Sequence, residues 1–521
     1  FEYGDDSVAQ LGGVHLACEQ ASNLLTKVLE WGRLMSYLEQ STRYIAYDAR
    51  IGGRYRFHRD PGVLGSALGT RYVGEMDRLF DTYAELVPKL TDFFREHFPK
   101  DPADSDFVYR QAVRAKAFDS LRGLLPAASL SNVGIYGTGQ AYEALLLRMR
   151  SHPLPEARTY ADLMLHELRK VIPSFLKRVD LAERGVAWST YLATNRTALD
   201  EVAARLFPTE DPVDDAPLVT LIDHDPDAEV RLVSAMLYAH VAAPERQIEA
   251  RVREMNVEER LEVVRAYAGD RTNRRHRPGR ALERIGYRFD VLADYGAFRD
   301  LQRHRMLTVE WQALSPRHGY TRPEAVDLAG QTEVFDRAME RSAALHDLLL
   351  PRFPAQAPYA VALAYKVRFV MQMNAREAMH LLELRSGPQG HPAYRAVAQE
   401  MHRLVAEEAG HPAVAELMRF VDHSPEPGLE RLDEVRALGF DDRFVRLWEY
   451  YLAASEAGFL TRAIGDVQLR LDKPAGRASA RDDTNTPVRR PHHETTSMEV
   501  KGAWPSSFAS IRKRAKRSSR E

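Results

Sequence analysis

Asp300-Leu301-Gln302-Arg303-His304-Arg305-Met306-Leu307-Thr308-Val309-Glu310 sets two guanidiniums on either side of an imidazole. The planar fork of arginine matches phosphate oxygens, so this cluster can clamp a phosphate-bearing or polyanionic ligand. Standing two apart, Arg303 and Arg305 diverge on a helix and share a face on a strand. Alone, the triplet also reads as solvated surface. Its context adds weight, because a degenerate counterpart, Trp31-Gly32-Arg33, sits in a related setting near the start of the chain. The pairing points to two copies of one domain that have lost different parts.

The repeat is visible within this one sequence. Arg148 and Arg385 stand 237 residues apart. The same offset pairs Ala141 with Ala378, Leu145 with Leu382, Leu147 with Leu384 and Pro155 with Pro392. It also pairs Arg158 with Arg395, Ala161 with Ala398 and Met164 with Met401. Shared helix composition does not produce that many identities at one offset, and the period is far too long for a solenoid. A duplicated domain is the better reading, and a chain of 521 residues exceeds what one core usually covers.

Composition is that of a soluble globular protein, and a net charge of -2 gives no global bias towards nucleic acid or an acidic partner. Cys18 is the single cysteine, which excludes an intrachain disulfide framework and an all-cysteine zinc site. It suits a reducing compartment, and the cytoplasm is the expected location. No apolar run approaches about 20 residues, so no membrane span is expected. The sequence opens at Phe1 inside a structured-looking motif, and residues before it are expected in the natural protein.

Helical spacing of Ala17, Ala21, Leu24, Leu25, Val28 and Met35 predicts a long helix over 15–44 followed by a turn. Further helices are expected at 74–98, 107–124, 256–267, 334–350, 375–385 and 393–408. The Pro- and Asp-rich stretch 208–217 reads as a linker. Leu218 to Asp223 reads as a strand, and Asp225-Pro226-Asp227 starts the helix after it. From 466 apolar periodicity fades and the chain ends in a basic run, so 466–521 reads as a disordered tail. That run can touch nucleic acid or an anionic surface, or simply be solvated.

Several other residues can carry chemistry. Asn374, Arg376 and Arg385 fall on one predicted helix with His380 between them and His391 after it, a set able to hold phosphate. The bland alternative is a salt-bridged helix using Glu377 and Glu383. Glu39-Gln40-Ser41-Thr42-Arg43-Tyr44 can read a phosphate and a base edge together, or be a polar helix-terminal turn. Arg122 is a further cation. Cys18, among apolar neighbours, reads as buried and inert. His276 and His304 lack the spacing of a metal site, and no metal is expected.

Together these motifs resemble the flavin-dependent thymidylate synthases, whose signature is Arg-His-Arg, seven residues, then Ser-x-Arg-Tyr. The second copy keeps Arg303-His304-Arg305 but has Ala313 in place of the serine. The first has Trp31-Gly32-Arg33 yet keeps Ser41, Arg43 and Tyr44. Gly4 to Gln10 retains the Gly and Ser of another family motif without its His and Glu. Glu283 looks like that family glutamate in the second copy. Asn374-Ala375-Arg376 with Leu384-Arg385 matches the Asn-x-Arg…Leu-Arg motif, where the first copy has Gly137-Thr138-Gly139 and Arg148. Arg122 with Pro126 resembles Arg-x-x-x-Pro.

The resemblance implies an α+β fold of two tandem, helix-rich, synthase-like domains with a small sheet in each. The first spans 1–207 and is N-terminally truncated, without the opening strand. The second spans 218–465. It implies reductive methylation of dUMP to dTMP, with methylenetetrahydrofolate and NADPH as co-substrates and FAD as cofactor. FAD contacts would be Arg303, His304, Arg305, Asn374, Arg376, His380, His391 and Ser7. dUMP contacts would be Glu39, Gln40, Ser41, Arg43 and Arg122, with Arg385 over the uracil as the catalytic residue. Family sites lie between subunits, so a pseudo-tetramer of two chains, with fewer competent sites than subunits, is implied. The alternative is a non-catalytic descendant that binds flavin or nucleotide.

Overall fold

The computed structural model describes residues 6–43, 45–102, 104–207, 216–425 and 428–429. Tyr44, the side chain of Ser7, most of the 208–217 linker and the expected tail from 466 lie outside the described residues. Two antiparallel sheets organise the rest. One contains β1 (Gly13–Ser22), β2 (Met35–Glu39) and β3 (Leu130–Thr138) in the order β1-β3-β2. The other contains β4 (Val219–His224), β5 (Gly286–Asp294), β6 (Leu307–Trp311) and β7 (Lys366–Asn374) in the order β4-β5-β7-β6. Without β4 the second sheet repeats the first, so the fold is α+β with the same unit twice, and β4 has no counterpart among the described residues of the first copy.

The expected helix over 15–44 is wrong. That segment is β1, a helix at Asn23–Leu29 and β2. A β-bulge between Cys18 and Ala21, with Gln20 at φ 58°, breaks the strand's period of two. The buried residues Val14, Cys18, Ala21, Leu25 and Val28 then follow helical spacing across a strand and a helix. Glu39 accordingly ends a strand, not a helix. The other expected helices stand within a few residues of their predicted ends, at Gly69–His97, Asp106–Leu121, Val257–Ala268, Thr332–Leu349, Ala375–Arg385 and Pro392–Glu407.

The two copies meet about a local twofold axis written in backbone hydrogen bonds. Ala127 N donates to Val361 O and Leu363 N to Leu125 O, both at symmetric positions. Ala128 N donates to Tyr359 O, and Ala364 N to Gly123 O. Each bond maps onto the other when the chain is shifted by 236 residues. Pro126 and Ala362, which are equivalents, bridge each other on the axis. The caps agree as well: Thr138 caps the helix after β3 and Asn374 the helix after β7. Gly123 has no side chain because a Cβ there would lie 2.9 Å from the Ala364 Cβ. The described residues form one compact unit, and one apolar core runs through both copies.

Candidate functional site

Arg303-His304-Arg305 forms neither helix nor strand; it is the turn between the helix Tyr295–Leu301 and β6. A turn lets the three side chains separate. Arg303 pairs with Asp300, one helical turn back. Arg305 reaches across to the Met35 carbonyl and the Ser36 hydroxyl of the first copy. His304 points inward and is buried. Its Nε2 accepts from Arg385 Nε at 3.0 Å and its Nδ1 lies 2.9 Å from Glu377 Oε1. Burial first, then Arg385 and Arg303, push its pKa well down, so it is a neutral imidazole. Because Arg385 can only donate, Nδ1 carries the proton and donates to Glu377. Asn374 Oδ1 in turn accepts from the Glu377 backbone N–H at 2.9 Å. Arg385, His304, Glu377 and Asn374 are thus one bonded chain that fixes the Arg385 guanidinium.

The first copy supplies the facing cations. Arg43 makes a two-pronged pair with Asp119 at 2.8 and 2.5 Å and reaches the second copy at the Gln389 carbonyl, 3.1 Å, and the Tyr394 hydroxyl, 3.3 Å. The Arg385 guanidinium sits 5.5 Å from the centre of that same Tyr394 ring. Arg122, 3% exposed, pairs with Asp300 at 3.3 Å and keeps a buried Nη2 without a partner. Burial alone would raise the pKa of Asp300, but Arg303, Arg122, Arg385 and Arg299 hold it far below the usual carboxylate range. His391 caps the helix Pro392–Glu407, meets the Asp119 carbonyl at 3.3 Å, and is pushed down to about 3 by burial and Arg122. Arg43, Arg122, Arg303, His304, Arg385 and His391 therefore gather in one place.

Other expected site residues are held by partners of their own. Gln40 pairs with Asn132 at 3.1 Å, and Ser41 Oγ accepts from the Arg43 backbone N–H at 3.2 Å. Arg376 pairs with Glu283 at 3.2 Å, and His380 Nδ1 lies 3.1 Å from Arg277 Nη2. The ligand atoms of His304, Glu377 and His380 lie within 4.8 Å of one another, but Arg277, Arg305 and Arg376 crowd their charge environment. Asp119, Asp300, Tyr394 and Arg277 were missed by sequence reasoning. The available signal was an acid three residues before each key arginine, Asp119–Arg122 and Asp300–Arg303. Cys18 is buried, and burial raises its thiol to about 12, so it is no nucleophile.

Glu39 belongs to a buried charge network on the twofold seam. Arg299 donates to it at 2.7 Å and Lys27 lies at 3.2 Å, with Glu30 2.5 Å from the same ammonium. Burial would raise its pKa, but Arg299, Lys27 and Arg303 hold it at about 2, against an ordinary 4.5. A depressed carboxylate stabilises the fold above its unfolded pKa and loses that contribution as pH falls towards the folded one. Between pH 4.5 and 2, urea unfolding of the wild type is therefore expected to weaken more steeply than that of Glu39→Gln. Parallel slopes would remove Glu39 from the acid response.

The degenerate copy of the motif shows what was lost. Trp31, at the place of Arg303, donates its indole N–H to the Val309 carbonyl at 3.2 Å and meets Trp311 edge-on at 5.3 Å. Arg148 stacks on Trp31 at 5.2 Å. This side is packing where the other is charge.

Similarity to known proteins covers the same two copies. The family model described as thymidylate synthase complementing protein matches residues 1–174 and 220–411. The UPF0159 protein of Chlamydia muridarum is 38% identical over 434 residues, 83% of this chain and 81% of its own. The UPF0159 protein of Thermoplasma acidophilum is 31% identical over 461 residues, 84% of this chain and 90% of its own. Among solved structures, a UMP/dUMP methylase PolB from Streptomyces cacaoi bound with 5-Br dUMP matches 39% of this chain and 97% of its own at 18% identity. Its TM-score of 0.31 is too low to argue from.

Proposed function

Because this chain belongs to the thymidylate synthase complementing protein family, we propose that it is a flavin-dependent thymidylate synthase built from two fused copies of the family domain, 1–207 and 218–465. The reaction is the reductive methylation of dUMP: methylenetetrahydrofolate gives a one-carbon unit, NADPH gives two electrons, the C5 proton leaves, and dTMP and tetrahydrofolate are formed. The observation that carries this reading is the meeting of Arg43 and Arg122, from one copy, with Arg385 and Tyr394, from the other. A site shared between family subunits would need just these two halves to face each other.

The residues fit a phosphate-bearing cofactor. Arg303 Nε and Arg376 Nε are buried with no hydrogen-bond partner, and Arg274 and Arg275 precede Arg277 in one basic run. Arg303, Arg305, Arg376, Arg277 and His380 would hold FAD, with Asn374 and His304 setting the geometry and His391 at the margin. Bound FAD would supply the hydride relay from NADPH. The protein's part is electrostatic and orientational. Arg43, Ser41 and Arg122 would bind dUMP, and Arg385, held by neutral His304, would stabilise negative charge on the uracil. The pairs these cations now make with Asp119 and Asp300 would be exchanged for ligand oxygens.

A second reading, a flavin- or nucleotide-binding protein without turnover, has one observation in its favour: Trp31 and Ala313 leave a single intact motif set per chain. Two measurements decide. Purified protein is expected to take up FAD with a flavin absorbance spectrum, and to release tritium from C5-labelled dUMP when methylenetetrahydrofolate and NADPH are present. Flavin without tritium release would establish the second reading; neither would remove both.

A further inference from the structure

The helix Ala187–Leu206 is 20 residues long and buries none of them. Its first half leans on the helix Gly139–Arg150 and its cap. There the Ser189 hydroxyl donates to the Leu147 carbonyl at 3.4 Å, and Arg196 Nη1 donates to the Ser151 carbonyl at 2.6 Å. From Thr197 to Leu206 every residue is exposed. A surface helix ordinarily turns one apolar stripe to a core. This helix has the stripe, and among the described residues no core lies beneath it.

The stripe has a definite period. Leu192, Leu199 and Leu206 recur every seventh residue, and so do Trp188, Asn195 and Val202. The two series interleave at steps of four and three, which is the seam of a left-handed coiled coil. Trp188 is 55% exposed, Leu199 68%, Val202 40% and Leu206 57%. Tyr191 flanks the seam and Phe207 follows its end, both exposed. Together these side chains offer an area approaching the roughly 800 Å² that each partner gives to a standard interface.

Asn195 selects the partner. A lone amide in the middle of an apolar seam is stranded against an apolar partner and satisfied when it meets another amide. A second copy of the same helix, parallel and in register, sets the two Asn195 side chains against each other. It also puts a pair of leucines in the layer before, from Leu192, and in the layer after, from Leu199. An antiparallel pairing of the same seam would set Asn195 against Leu199 instead.

We propose that the helix Ala187–Leu206 is a self-association helix whose partner is the same helix of a second copy of this chain, parallel and in register. The contacts between the two fused copies use residues 123–128 and 359–364, so this surface is separate from them. No flavin or nucleotide takes part, so the pairing stands or falls apart from the proposed reaction. Three heptads make a weak pair, and a dissociation constant on the order of 10 µM is expected.

The test is disulfide trapping in the full chain at several times that concentration. Cys18 is buried and its thiol is pushed up to about 12, so it does not compete. Under mild oxidation Asn195→Cys is expected to link two chains. Glu201→Cys, far round the helix from the seam, is expected to link them at least about tenfold less. Self-association through any other surface would not separate the two cysteines. Leu199→Asp added to Asn195→Cys is expected to lower cross-linking at least about tenfold, because it places a carboxylate in the seam. These positions are exposed, so the variants leave the core untouched. Sedimentation velocity of wild type against Leu199→Asp reads the same loss without any cysteine. Absence of a cross-link in Asn195→Cys, equal cross-linking at 195 and 201, or indifference to Leu199→Asp overturns the proposal. Cosedimentation with anionic lipid vesicles that Leu199→Asp abolishes, without a cross-link, would give the face to a membrane and overturn it too.

Discussion

Arg385→Ala is expected to lower dUMP-dependent tritium release about 100- to 1000-fold, the cost of losing one buried, preorganised donor at a site of developing charge. Flavin bound per chain is expected to change little. The reason for the split lies in where Arg385 sits. Its Nε is tied to His304 Nε2, and its guanidinium lies beside Tyr394, Asp300 and Arg303. The groups assigned to the flavin, Arg305, Arg376 and Arg277, have anchors of their own at Met35, Glu283 and His380. Arg385→Lys keeps the charge but loses the fork that bonds His304 and a substrate oxygen together, so it should fall between wild type and alanine. Turnover left intact in Arg385→Ala would show that another group polarises the uracil. Equal loss of flavin and turnover would make Arg385 part of the cofactor site.

The second copy was legible because its signals are local. Asn374 caps the helix it was placed on and β4 stands at the β-branched run from Leu218, while the turn that carries Arg303, His304 and Arg305 was left open between helix and strand. The first copy misled because the bulge at Gln20 gave a strand the spacing of a helix. No periodicity argument separates the two when the bulge falls mid-strand and a real helix follows. The cluster itself was half legible. Its arginines were visible as motifs, but their acids were not, since Arg43 meets Asp119 across 76 residues and Arg122 meets Asp300 across 178. Those pairings are set by the twofold seam. The seam also makes the charge asymmetry intelligible: one pseudo-equivalent position carries Arg303 beside Asp300, the other Trp31 packed between Arg148 and Trp311. Fusing the copies allows them to differ, and only a difference can leave one position charged and the other packed.

Removing either partner of the Arg271–Glu383 pair is expected to destabilise the protein more than any other single change considered for its surface or core. Both side chains are 2% exposed, and they meet through two bonds at 2.7 and 2.9 Å. Arg271 also donates to the His276 carbonyl at 2.5 Å and to the Leu417 carbonyl. Glu383→Ala leaves a buried guanidinium without its counter-ion, a loss of about 3–5 kcal/mol. It should appear as a large drop in the urea midpoint. Replacing both residues with apolar ones, Arg271→Met with Glu383→Leu, should cost much less, because desolvation of both charges is then removed along with their attraction. The pair has a second consequence. It pins the start of the loop that carries Arg274, Arg275 and Arg277 against the helix holding His380 and Arg385. Glu383→Ala is therefore expected to lose flavin affinity even at temperatures where it stays folded, while the double replacement, which retains packing but not the anchor at His276, should lose flavin with most of its stability intact. A Glu383→Ala variant less than about 1 kcal/mol below wild type would show that the ion pair is not what holds this loop, and a double variant as unstable as the single one would show that packing, rather than the stranded charge, sets the cost.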